Sequence, residues 1–167
     1  GFAAIFYGEP RLTIDVDIVV DMKSDDIDLF LRAFPIPDYY VSEEGVRDAL
    51  QRRYPFNIIQ PATGAKVDMV PLPSDRFTKS AFERRQRLAY DQTGRPATFI
   101  TAEDILIAKL LAYRETGSDK HLRDARGVLV TQWGEMDLDR VHRGARASGV
   151  LDRLEEILAL IQTEMEE

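Results

Sequence analysis

Asp15 and Asp17 stand two residues apart in the stretch Ile14-Asp-Val-Asp-Ile-Val-Val-Asp21. Alternation of Asp with β-branched residues, followed by an all-apolar run, predicts a buried strand. Side chains two apart on a strand leave the same face, with Cα atoms about 6.5 Å apart, so the two carboxylates form a pair. Ile14, Val16 and Ile18 take the other face. Asp is depleted in strands, and two on one face repel unless something neutralises them. A divalent cation does so, and hard oxygen ligands suit Mg2+ or Mn2+. A third acid, Asp68, is the lone carboxylate in the apolar strand Lys66-Val-Asp-Met-Val-Pro71, where strand pairing would bring it beside the first two. Three carboxylates across neighbouring strands can hold one or two Mg2+ ions around a triphosphate, for an in-line displacement. The competing reading puts Asp15 and Asp17 on the solvated face of an edge strand, with Asp68 in a separate ion pair with Lys66.

Composition limits the alternatives. The chain has 167 residues, with 22 Lys+Arg against 29 Asp+Glu, two His and no Cys, for a formal charge of −7. Without Cys there are no disulfides, thiolate zinc sites or thiol nucleophiles, and two His cannot build a multi-histidine metal site. With 44% hydrophobic and 31% charged residues the composition is that of a soluble globular protein. A chain this long buries roughly 70% of its unfolded surface, enough for an ordinary core. No apolar run approaches the ~20 residues that span a bilayer, and no signal peptide is read, so a cytoplasmic protein without a membrane partner is expected. The negative charge argues against a sequence-independent coat on nucleic acid, though not against a local basic patch.

The elements that must position the acids follow from periodicity and punctuation. Residues 1–8 are apolar and helix-compatible, ending at Gly8-Glu-Pro10, and a strand and helix are expected upstream of Gly1. Ser24 is expected to cap a helix over 25–34, whose inner face is Ile27, Phe30, Leu31 and Phe34, stopped by Pro35 and Pro37. Ser42 caps a second helix over 42–52, with Val46, Ala49 and Leu50 inward. Residues 56–60 and 66–70 read as a β-hairpin around Ala62-Thr-Gly64, and 87–90 with 97–100 as another around Thr93-Gly94. A short helix fits 75–82. Thr101-Ala-Glu-Asp104 is a capping-box variant that opens a helix to about 114. Further helices fit 118–131, 137–147 and 150–165. The class is α+β: a small mixed β-sheet flanked by helices in residues 1–100, then a C-terminal helical region in 101–167 packed on it.

With these residues in view, the chain resembles the nucleotidyltransferase superfamily, of polymerase-beta-like fold. Gly1, thirteen residues, then Asp15-Val-Asp17 is similar to its signature, a Gly-Gly or Gly-Ser pair at a helix start followed by Asp-x-Asp/Glu on a strand. Tyr7-Gly-x-Pro-Arg-x-Thr-x-Asp-x-Asp-Ile resembles the AbiEii-like and minimal branch, Asp68 matches the third acid, and Lys66 gives that branch's Lys-x-Asp form. Glu103 to Leu110, Arg114 and Lys120-His-Leu-Arg-Asp124 are similar to its Lys-Leu … Asp motif after the sheet. The resemblance covers residue 1 to about 130. It implies a Mg2+-dependent transfer of an NMP from an NTP to a hydroxyl of a protein or RNA acceptor. It also implies that Asp15 and Asp17 bind the metals and that Asp68 is a ligand that helps activate the hydroxyl. Gly1 would pack against the phosphates, Lys109 would reach phosphate, and Asp124 would anchor its helix pair.

The remaining candidates carry plainer explanations beside functional ones. Arg11 and Thr13 flank the acids and could meet phosphates or cap the turn into the strand. Lys109 in an apolar helix ordinarily snorkels. His121 and Asp124 are three apart on one helix, but no nearby Ser or Cys motif supports a hydrolytic triad. Lys79, Arg84, Arg85, Arg87 and Arg95 form the clearest basic cluster, a solvated face that could also receive RNA. The apolar stripe Leu151, Leu154, Ile157, Leu158 and Ile161 completes the core or, second, makes a homodimer contact. The expected function is therefore nucleotidyl transfer. A non-catalytic, antitoxin-like member of a toxin–antitoxin pair, binding nucleotide or a partner protein, is the other reading.

Overall fold

The computed structural model describes residues 2–9 and 16–166, with side-chain surroundings as far as residue 163. Its elements are α1 (Phe2–Tyr7), β1 (Val16–Val20), α2 (Ile27–Ala33), α3 (Glu43–Arg52), β2 (Phe56–Gln60), β3 (Ala65–Pro71) and α4 (Arg76–Glu83). They continue with β4 (Gln86–Ala89), β5 (Pro96–Phe99), α5 (Ala102–Thr116), α6 (Asp119–Thr131), α7 (Leu138–Ala147) and α8 (Leu151–Glu166). The class is α+β, as expected, and the chain forms two compact units.

The first unit holds β1, α2, α3, β2, β3 and most of α4. Its sheet is mixed, in the order β1-β3-β2. β2 and β3 pair antiparallel across the short turn at residues 61–64, where Gly64 takes φ +70°. β1 lies parallel to β3, a pairing that requires the long crossover supplied by α2 and α3. Because strand side chains alternate, Phe56 and Ile58, Val67 and Met69, and Val20 all point to one face. There Phe56, Ile58 and Met69 bury against Ile27 of α2 and Val46 and Ala49 of α3. Ser42 caps α3 as expected, its hydroxyl accepting from the Gly45 N–H at 3.0 Å. The start of α2 differs. Ser24–Asp26 form a 3-10 turn, and Asp26 accepts from the Lys23 N–H at 2.8 Å. β1 is also less covered than its apolar run suggests: as an edge strand of the described sheet it leaves Ile18 43% and Val19 37% exposed.

The second unit comprises residues 3–9 and 83 onward. The sequence reading puts a boundary near residue 100, whereas the units divide at Phe82. Contacts on both sides of residue 100 explain this: Phe99 of β5 stacks on Phe6 of α1 at 4.2 Å, and Arg84 grips Asp104 of α5. α5 is the spine, with Leu106, Ile107 and Leu110 essentially solvent-free. The Thr101 hydroxyl accepts from the Asp104 N–H at 3.3 Å, and Gly117 closes the helix in the left-handed conformation at φ +66°. Leu154, Ile157, Leu158 and Ile161 of α8 are buried in this unit's core, as the stripe predicts. No described helix is long and apolar enough to cross a membrane.

Candidate functional site

The acids of the first unit are set by register. Asp17 of β1 is the direct partner of Asp68 of β3, and Asp68 is in turn the partner of Asn57 of β2. Alternation sends this row to the face opposite the Ile27–Met69 core. Neighbouring strands lie about 5 Å apart, so the two carboxylates of the parallel pair are adjacent. Above the row sit Val19 and Val70, and below it Lys66 and Ile59. Lys66 shares the face with Asp68, its Nζ 3.0 Å from Oδ1, with side chains 43% and 24% exposed. A solvated ion pair of this kind is worth under about 1 kcal/mol, so it can open for a better ligand.

Each reading of these residues thus finds something here. Asp68 stands beside Asp17, as the metal reading requires. It is also paired with Lys66, and β1 is an edge strand of the described sheet, as the plainer reading has it. Gly1, Arg11, Thr13 and Asp15 lie outside the described residues. Among the described residues no group of three or more His, Asp or Glu side chains is gathered as a metal cluster.

Lys109 and Asp124 belong to the second unit and face each other. Lys109 Nζ lies 2.7 Å from Asp124 Oδ2, and both side chains are buried, joining α5 to α6. Lys109 therefore does not snorkel. His121, one turn before Asp124, has a buried Nδ1 with no hydrogen-bond partner among the described residues. Burial first, and then the charge of Lys109, hold its pKa below the ordinary value, with Asp124 acting against them. Asp104 is 2% exposed and is gripped from two directions. Arg84 donates to both of its oxygens at 2.9 and 2.8 Å, and Arg140 donates to Oδ2 at 2.8 Å. Arg84 is thereby drawn out of the basic cluster, as is Arg95, which pairs with Asp91 at 2.5 Å.

Two arrangements escaped sequence reasoning. Asp104 reads as a local cap, but its partners come from 20 residues before and 36 after, which no local pattern signals. Asn57 carried a signal. Counting outward from Gln60 opposite Ala65 places Asn57 opposite Asp68. No protein-family model matches the chain, and no curated protein matches it significantly.

Proposed function

We propose that the chain is a Mg2+-dependent nucleotidyltransferase that moves an NMP from an NTP to a hydroxyl of a protein or RNA acceptor and releases pyrophosphate. The observation that carries this reading is the register of Asp17 with Asp68: two carboxylates adjacent on parallel strands, on the face turned away from the core. Side by side, two carboxylates repel, and Lys66 holds Asp68 through a weak, half-exposed contact. The donor set, all carboxylate oxygen with a neighbouring amide, fits Mg2+ or Mn2+ rather than a softer metal. Asp17 and Asp68 would hold the ion, with Asp15 joining them on the strength of its spacing in the sequence. Bound there, the metal supplies charge neutralisation to the triphosphate and to the reacting oxygens.

The remaining steps belong to side chains. Asp68 accepts the proton of the acceptor hydroxyl, once Lys66 moves from its carboxylate to a phosphate oxygen. On the strength of its place in the sequence beside the acids, Arg11 would neutralise phosphate charge as pyrophosphate leaves. Lys109, whose ammonium is taken by Asp124, is given no step. One observation favours the second reading, a nucleotide-binding antitoxin-like partner without turnover: Asp68, the proton acceptor, is already engaged by Lys66.

Incubation of the chain with each labelled NTP, Mg2+ and cell lysate tests both. Transfer of label to protein or RNA, lost in the Asp15→Asn/Asp17→Asn variant with its circular dichroism unchanged, is the expected result. Nucleotide binding without transfer supports the partner protein. Absence of Mg2+-dependent NTP binding in the unaltered chain overturns both.

A further inference from the structure

We draw no further inference here: the strongest candidate, the buried side-chain cluster of Lys109, Asp124 and His121 where α5 meets α6, belongs to the arrangement already described, in which Lys109 and Asp124 engage each other and Nδ1 of His121 is closed off from solvent and so from any ligand.

Discussion

Lys109 Nζ and Asp124 Oδ2 stand 2.7 Å apart, with side chains only 8% and 7% exposed, so that a desolvated ion pair fastens α5 to α6. Two opposite charges removed from water are tolerable together and costly apart. Their attraction roughly repays the loss of hydration, whereas a lone survivor keeps the penalty without the partner.

Lys109→Met should therefore destabilise the protein by about 3–5 kcal/mol. The double variant Lys109→Met/Asp124→Leu should recover most of that loss, because it removes both charges and fills the space with apolar volume. Urea unfolding of the parent, Lys109→Met, Asp124→Leu and the double variant forms a double-mutant cycle, and coupling near zero would show that the pair is not a unit.

His121 makes stability depend on pH in a definite direction. Its folded pKa is lowered, by burial first and then by Lys109, from an ordinary value of 6.5. Below that value the unfolded chain takes up a proton that the folded chain resists, so stability falls as pH drops from about 6.5 toward the folded pKa. Above 6.5 both states are neutral at this position and the contribution is flat. His121→Gln should make the loss of melting temperature between pH 7 and pH 5 shallower than in the parent. Equal slopes in the two proteins would place the acid sensitivity elsewhere.

Gly8 is the position where α1 meets the backbone of α6. A methyl group there would lie 2.6 Å from the Ala4 carbonyl oxygen and 3.1 Å from the Val128 nitrogen, both backbone atoms that cannot swing aside. Gly8→Ala should cost about 3 kcal/mol, at the upper end for overpacking. Gly144→Ala meets only the Cδ1 end of Ile107, which can change rotamer, and should cost about 1 kcal/mol. Thermal melts of the two variants check the order. A smaller loss for Gly8→Ala than for Gly144→Ala would contradict the close approach of α1 to α6.

What the sequence made legible was local. The starts of α3 and α5 were readable because Ser42 and Thr101 accept from backbone N–H groups three residues on. The β2–β3 hairpin was readable because its turn residues and flanking alternation sit within a few positions. What stayed hidden depended on distant partners. The apolar run of β1 reads as a buried strand and says nothing about which strand lies beside it, so the edge position stood only as the competing reading and the exposure of Ile18 and Val19 was not anticipated. The β4–β5 hairpin joins the helical unit through Phe99 on Phe6, residues 93 positions apart. The acids fell between these cases. Asp17 and Asp68 were each singled out by an apolar setting, but only the strand order made them partners.

Lys66 supplies a further test of that partnership. Its ammonium sits 3.0 Å from Asp68 and competes with any cation for the same carboxylate. Lys66→Met removes the competitor and keeps the length of the side chain, and Asp68 loses its ion pair. Mn2+ binding should tighten about fivefold, equivalent to about 1 kcal/mol, the upper range for a solvated ion pair. Melting temperature measured without metal should fall slightly, and saturating Mn2+ should restore it, because a ligand that binds only the folded state stabilises it. NTP binding should move the opposite way and weaken, since Lys66 is the cation that would otherwise turn to phosphate. Tightened metal binding together with weakened nucleotide binding would separate a working site from a surface ion pair, whose loss would leave both affinities where they were.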